Sequence, residues 1–598
     1  MLAQLQDVVN KTFDYIIVGG GTAGLTLAAR LTEDATRSVL VLESGSENAA
    51  DPIILQLSSF GCHFGNAKYS WPHMTIPQER VGGAQQPMAR GKGLGGSSAI
   101  NFFVYQLPPA DDYNDFERLG NPGWNWENLS SSIRKTQGFT PPTKEMLAES
   151  NIKAGLWELG RDGPLKISFP PKINKLEAVV QESLVNAGVP PAPNPLGGNP
   201  KGSFIAPNTN DPKTFTRSYA ASAYYEPNKH RPNLTVLVNA HVVRVLTETA
   251  SSGEVVATGV EFLREMERYS VNAGKEVILS SGTIKTPQVL ELSGIGDPQV
   301  LKKIGVPLTV DLPGVGSNLQ DHTMVAVKLE LKDDPTLETF DILRDPEMAA
   351  KHRELLKKGT GLYTQGLAGY AFCALDMISE KAQEIMKATE ESAAKKTYLD
   401  WRREQYSIDI GRWKAGSPGI EILTFPGDFA PRGPVAPGKK YLALAIGNFH
   451  SISRGTIHCV SNDPLKDPEI DPNYFEEPFD LHVLVQGMQF ARKLAQTQPL
   501  KDLCVGEIEP GSEVSIDNDE EMAEYVKTHF HSPWHAASSC SMMPKEKGGV
   551  VDPQLKVYGT TNVRIVDLSI IPLHLAAHVQ ATVYGIAERA ASIIMGRA

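Results

Sequence analysis

The chain opens with an apolar, β-branched run, Asp14 to Val18, which stops at a cluster of glycines and resumes as LTLAARL with apolar side chains at helical spacing. That pattern predicts a strand, a tight turn and a helix. A second apolar run, SVLVLESG, predicts another buried strand ending at Glu43. Farther on, RPNLTVLVNAHVVRVL alternates β-branched and polar positions and reads as strands returning to the first sheet. EVILS reads as a buried strand, SSGTIKTP as a turn, and PQVLELSG as a short helix opened by Pro287 and closed at Gly294. Residues from about 126 to 230 carry many prolines, including VPPAPNP, and read as an excursion from that sheet. Beyond residue 323, strands such as KYLALAIGNF mix with polar helices such as SEKAQEIMKATEESAAKK, and no internal repeat is evident.

The glycines at the first turn, Gly19, Gly21 and Gly24, have the spacing G-x-G-x-x-G. Gly19 permits the turn, Gly21 lets backbone approach a pyrophosphate, and Gly24 lets helix and strand pack closely. The helix N-terminus then offers unpaired N–H groups and a partial positive charge. Glu43 stands nineteen residues beyond Gly24, where an acidic side chain accepts hydrogen bonds from a ribose. Together these features predict an adenine dinucleotide site. The bland alternative is a glycine-rich structural turn. A second glycine segment, Val81 to Asn101, presents Gly93, Gly95, Gly96, Ser97 and Ser98, whose N–H groups and hydroxyls suit phosphate or flavin oxygens, or else form a flexible loop.

At 598 residues the chain exceeds what one hydrophobic core organises, so at least two cores are expected. A net charge of −11 gives no electrostatic footprint for nucleic acid or an anionic membrane. No apolar run is long enough to span a bilayer, and the start MLAQLQDVVNKTFDY lacks the character of a signal peptide. The expectation is therefore a cytoplasmic protein. Sequons at Asn10, Asn128 and Asn233 keep open a secreted form whose signal is absent from this sequence. The five cysteines, Cys62, Cys373, Cys459, Cys504 and Cys540, form no C-x-x-C pair and read as buried small hydrophobes rather than a disulfide or zinc framework.

The segment GKGLGGSSAIN resembles the first signature of the glucose-methanol-choline oxidoreductases, FAD enzymes that oxidise alcohols, and GTIKTPQVLELSGIG, Gly282 to Gly296, resembles the second. The resemblance runs from residue 13 to the C-terminus. It implies an α/β and α+β architecture, in which a discontinuous Rossmann-like FAD-binding domain (residues 1–46, 80–125, 230–322 and 540–598) is interleaved with a substrate-binding domain and cofactor-covering segments on an antiparallel sheet (47–79, 126–229 and 323–539). It also implies cofactor contacts from Gly19, Gly21, Thr22, Ala23, Gly24, Glu43, Arg90, Gly95, Gly96, Ser97, Asn101, Val242 and Asp567. Val242 matches a valine whose backbone pairs with adenine, and Asp567 a residue lying against the flavin cofactor. Ile100 stands where some members attach FAD through a histidine, so the expected FAD is non-covalent.

The C-terminal region holds five histidines in two clusters, HFHSPWHAASSCSMMP and IIPLHLAAHVQATVYGIAE. Spacing of four suits a metal on one helix face, but Pro533 interrupts the first pair and no carboxylate or cysteine set completes a ligand group, so no metal is expected. The resemblance assigns His535 as the base that takes the hydroxyl proton and His578 as the partner that orients the substrate oxygen. His529, His531 and His574 read as surface or supporting residues. Trp534 and Phe102 stand where the aryl-alcohol oxidase branch carries aromatics near the flavin. The resulting expectation is oxidation of a primary aromatic, furanic or allylic alcohol to an aldehyde, with electrons passing to O₂, giving H₂O₂, or to another acceptor. A hydroxynitrile lyase on the same fold, or a dehydrogenase of sugars or aliphatic alcohols, are the alternatives.

Overall fold

A computed structural model describes residues 2–149, 158–251, 253–396, 400–429 and 436–597. Two sheets organise them. In the first, the strands follow the order Leu234–Leu237, Val39–Leu42, Thr12–Val18, Glu267–Leu279, Val255–Arg264 and His241–Thr249, and Val563–Ile565 pairs with the end of Glu267–Leu279. The apolar runs read from the sequence form its parallel centre: Tyr15 to Val18 pair with Val39 to Leu42 on one side and with Glu276 to Leu279 on the other. Strands buried on both faces need continuous apolar sequence, and Val39 to Leu42 are all buried. His241–Thr249, Val255–Arg264 and Glu267–Leu279, consecutive along the chain, form an antiparallel meander that extends the sheet.

The second sheet is antiparallel throughout, in the order Cys504–Glu509, Thr323–Leu331, Tyr441–Asn448, Ile420–Phe425, Gly369–Cys373 and Gly202–Ile205. Its two faces bury different residues because successive side chains alternate. Ile420, Ile422, Ala371 and Cys373 pack with Val483, Leu484 and Met488 of the helix Pro478–Leu494. Leu423, Phe425, Tyr370 and Phe372 face the other way and join Phe204 and Phe449. Segments between residues 126 and 229 contribute to both cores: Leu129, Ile133 and Tyr219 to Tyr225 belong to the first, Leu176 and Val180 to the second.

One sequence expectation fails instructively. The helix that was to begin at Pro287 runs over Gly282–Leu292 with Pro287 inside it, so the expected turn SSGTIKTP is largely helical. A proline there removes the N–H that would bond the Thr283 carbonyl. Ser539 Oγ donates to that carbonyl at 2.6 Å instead, so the orphaned acceptor is satisfied from a segment remote in sequence. The cysteine expectation is also corrected in part: Cys373, Cys459 and Cys540 are buried, but Cys504 is only partly so and Cys62 is exposed.

A buried guanidinium ties the second half of the chain to the first. Arg412, on the helix Asp400–Lys414, reaches Asp115 at 2.6 Å and lies 3.7 Å from both Asp112 and Asp409. It also donates to the His574 carbonyl at 2.9 Å. The surrounding carboxylates offset its burial and strengthen its hold on the proton. Arg412→Met should therefore take the buried cation from a cluster of carboxylates and leave Asp115 with the largely exposed Arg118 as its ion-pair partner, destabilising the protein by about 3–5 kcal/mol. Denaturant midpoints of the two proteins measure this, and an unchanged midpoint would contradict it.

Candidate active site

Between the sheets lies a cleft with about 1910 Å³ of empty space, part of it open to solvent. Gly19, Gly21, Thr22, Ala23, Glu43, Arg90, Gly96, Ser97, Asn101, Phe102, Val242, Trp534, His535, Asp567 and His578 all line it. Gly24 and Gly95 stand behind the wall. A Cβ on Gly24 would fall 2.0 Å from the Gly19 carbonyl oxygen, and one on Gly95 2.5 Å from the Tyr219 ring, so both serve close packing.

The helix Thr22–Leu31 begins at Gly21 with no side chain capping it, so its N-terminus opens towards the cleft. A Cβ on Gly21 would meet only Gly96 Cα, at 3.8 Å, so the space above this glycine is free. Ser280 Oγ, on the cleft wall, is buried without a partner among the described residues. An uncapped helix start, an open glycine and an unsatisfied hydroxyl fit a bound diphosphate-linked cofactor.

Glu43 does more than the ribose contact expected of it. Its Oε1 accepts from Gly45 and Gly93 N–H at 2.8 and 3.0 Å, and its Oε2 from Gly20 N–H at 2.8 Å. Asp567 likewise accepts from Gly282 N–H and Thr286 Oγ at 2.9 and 2.6 Å, capping the helix that contains Pro287. Asn101 is engaged too: its Oδ1 accepts from Arg217 at 2.7 Å and from Phe103 N–H at 3.1 Å, while its Nδ2 donates to Gln580 at 3.0 Å.

At the second sheet the cleft meets the histidines. The His535 and His578 rings stand 4.8 Å apart, nearly perpendicular at 79°. Trp534 before them has φ 62°, a left-handed backbone that a tryptophan rarely adopts. Arg90 donates to the Trp534 carbonyl, Trp534 N–H donates to Ser532 Oγ at 2.8 Å and the indole N–H to Pro87 at 3.0 Å, so the turn is held from three sides. His535 N–H in turn donates to Asp321 at 3.1 Å. Its Nδ1 lies 2.9 Å from Nδ1 of His322, leaving Nε2 as the ring nitrogen without a protein partner among the described residues. Burial first, then the neighbouring His578, His574 and Arg90, hold the His535 imidazole well below the ordinary histidine range.

Two residues that no motif marked complete this end. His322 stacks on Phe449 with ring centroids 4.0 Å apart, and its Nε2 is buried without a partner among the described residues. Glu421, fully buried, accepts from His578 Nε2 with its oxygens at 3.0 and 3.2 Å. Of the histidines read as surface or supporting, His574 is buried and bonds the His535 carbonyl at 2.8 Å, with burial pushing its imidazole down to about 3. His529 stacks on Tyr525 away from the cleft, but His531 lines it, contrary to expectation, 5.4 Å from the Phe429 ring.

Residues 13–324 and 451–587 match the sequence models of GMC oxidoreductases. The chain belongs to the GMC oxidoreductase family. Its relatives include the dehydrogenase mpl7 of Monascus purpureus, 34% identical over 98% of this chain and 97% of that protein. Among solved structures it resembles an FAD-dependent oxidoreductase from Chaetomium thermophilum, with a TM-score of 0.89 at 29% identity, covering 98% of this chain and 99% of that one. A fungal aryl-alcohol oxidase follows at 0.84 and 28%, with the same coverage of both chains. This GMC oxidoreductase is accordingly an FAD flavoprotein of the class that acts on CH–OH donors. No helix among the described residues is long and apolar enough to cross a membrane.

Gly21→Val separates folding from cofactor binding. The added Cβ has room, so the circular dichroism of the protein should match wild type, while the branched methyls enter the cleft and flavin content should fall below about a tenth of wild type. Full flavin occupancy in the variant would refute the assignment of this turn.

Proposed function

We propose that this GMC oxidoreductase oxidises a primary benzylic, furanic or allylic alcohol to the aldehyde, with His535 as base and His578 as the partner that orients the oxygen. The observation carrying this reading is the pair of facing imidazoles, one of them held neutral by its surroundings, in the wall of the cleft. When bound, FAD supplies a hydride acceptor and passes two electrons on to O₂, yielding H₂O₂, or to another acceptor. The protein's part is to remove the hydroxyl proton while the C–H bond is broken as hydride, so that the C–O bond becomes a carbonyl. A neutral His535 takes that proton on Nε2. For Nε2 to be free, Nδ1 must carry the ring proton and donate it to His322, whose own proton then lies on its Nε2, buried and unpaired at a cost of about 1–3 kcal/mol. His578 lies opposite and restrains the alcohol oxygen. In this reading residues 1–46, 80–125, 230–322 and 540–598 carry FAD, and the remaining segments form the substrate side and cover the cofactor.

The substrate class follows from the cleft wall. Phe64 lies 4.4 Å from Trp534 and 6.1 Å from Phe102, centroid to centroid, and Phe102 and Trp534 are 5.9 Å apart. Leu423, Met324 and Phe429 add further apolar surface. Such walls favour planar, conjugated substrates, with each ring pair contributing about 0.5–1.5 kcal/mol beyond burial. A sugar needs many converging polar groups to replace its water, which this wall does not supply.

His535→Ala should retain FAD and slow anaerobic flavin reduction by about 10²- to 10⁴-fold, the usual contribution of a positioned base. Near-normal reduction would remove His535 from the mechanism. Against a panel of benzyl alcohol, hydroxymethylfurfural, hexenol, glucose, choline and methanol, the first three should exceed the others by at least about tenfold in kcat/KM. Trp534→Ala should narrow that gap. Faster reduction by glucose or methanol would overturn the substrate class while leaving the family untouched.

A further inference from the structure

Arg217, in the short strand Thr216–Arg217, carries a buried charge that nothing in the fold neutralises. The contrast with Arg412 is direct. Asp112, Asp115 and Asp409 stand within 3.7 Å of Arg412, whereas no carboxylate pairs with Arg217 among the described residues. Its bonds go to neutral acceptors: Nε donates to the Ile54 carbonyl at 2.8 Å, and Nη1 to the Ser98 and Asn101 carbonyls at 3.2 and 2.9 Å and to Asn101 Oδ1 at 2.7 Å. Nη2 is buried without a partner among the described residues. The guanidinium lies 3.7 Å from the centroid of the Phe103 ring, a face that suits a cation, and Phe103 presents it from a left-handed backbone with φ 67°. The titratable groups nearby add no negative charge. Burial pushes the Tyr219 and Tyr584 phenols up, so they keep their protons, and His63, pulled down to about 4, stays neutral. Burial pulls Arg217 itself down only to about 9, so it is charged at neutral pH. Folding therefore sets an uncompensated cation directly behind a wall of the cleft, since Ser98 and Asn101 both line it. On its other side Asn101 bonds Gln580, the first residue of the helix Gln580–Ile594, whose uncapped start brings a partial positive charge to the same point. A side chain needed only to tie down carbonyls could be a neutral amide.

We propose that Arg217 is a positioning residue for charge: acting through Asn101 from behind the wall, it favours negative charge in the cleft and so raises the reduction potential of bound FAD. An FAD that accepts the hydride of a C–H bond gains one proton and two electrons, hence one negative charge, and the donor loses the same, so no further reactant is needed. A fixed cation favours that form over the oxidised one. By linkage, a difference in affinity between the two redox states is a difference in potential. A cation serving the diphosphate instead would strengthen both states alike and leave the potential unmoved. The inference concerns the cofactor side and holds whichever alcohol is the substrate, so its failure is distinct from failure of the proposed substrate or base.

Anaerobic equilibration of the holoenzyme with a reference dye, using sodium dithionite as reductant, measures the potential without turnover. Arg217→Gln removes the charge and keeps a donor for the carbonyls, while Arg217→Met removes both, so one neutral variant is available if the other does not fold. In either, the potential should fall by about 30 mV or more, which for a two-electron couple is a tenfold change in the ratio of the affinities for reduced and oxidised FAD. Arg217→Lys keeps the charge and should stay nearer the wild type than the neutral variants, even where its flavin content drops. A second measurement serves a variant that loses flavin during purification. Titrating its apoprotein with oxidised and with dithionite-reduced FAD gives two dissociation constants, whose ratio should differ from the wild-type ratio by the same factor of about ten or more. A potential unmoved in the neutral variants, or lowered equally in Arg217→Lys, overturns the proposal. So does an apoprotein whose affinity falls alike for both forms, which would leave Arg217 as a tie between carbonyls or a partner of the diphosphate.

Discussion

A single carboxylate, Glu43, holds the glycine-lined wall of the cleft together. The first glycine turn, the end of the second strand and the glycine segment around Gly93 have few side chains with which to pack, yet all three must meet at one point. Glu43 joins them through N–H bonds from Gly20, Gly45 and Gly93, all buried. Its own burial opposes ionisation and outweighs the three N–H donors that favour it, so the carboxyl sits above its ordinary range. The position read as a ribose contact is thus also the knot of the fold, and the approach of the two glycine segments, Gly96 against Gly21, depends on it.

The opposite wall obeys a different constraint. An antiparallel sheet with a helix on one face can expose its other face to a ligand, and the alternation along Ile420–Phe425 assigns each residue to one task or the other. The histidine end of the cleft is therefore built by two kinds of element: a sheet face supplying Glu421 and Leu423, and irregular segments supplying Trp534, His535 and His578. Irregular backbone can place a histidine where no helix or strand would, provided something else holds it. Here Arg90, Ser532, Asp321 and Gln106 do so.

The first strand, its turn and the helix after it were legible in the sequence because the turn is written in glycine. Gly19, Gly21 and Gly24 have separable jobs at fixed spacing, and the apolar runs beside them could only be buried strands. What stayed hidden depends on partners far along the chain. Pro287 looked like a helix start because the donor to the Thr283 carbonyl, Ser539, is 256 residues away. No motif marks Glu421, which only the folded chain brings beside His578. His322 could not be told from any other histidine in a loop, since its meaning lies in a single contact with His535.

The Ser539 bond has a mechanical consequence. Ser539 follows His535 by four residues, and between them Ala537 exchanges two backbone bonds with Gln320, while Cys540 N–H bonds the Ser569 carbonyl. Through Thr283 the same stretch is tied to the helix that Asp567 caps. The segment that carries His535 and the helix that Asp567 caps are therefore joined by one continuous set of hydrogen bonds. Compliance for admitting a substrate has to come from elsewhere on the rim. The segment bearing Phe60 and Phe64 turns between Ser59 and Asn66 on short-range backbone bonds of its own and meets Phe102 and Trp534 through ring contacts.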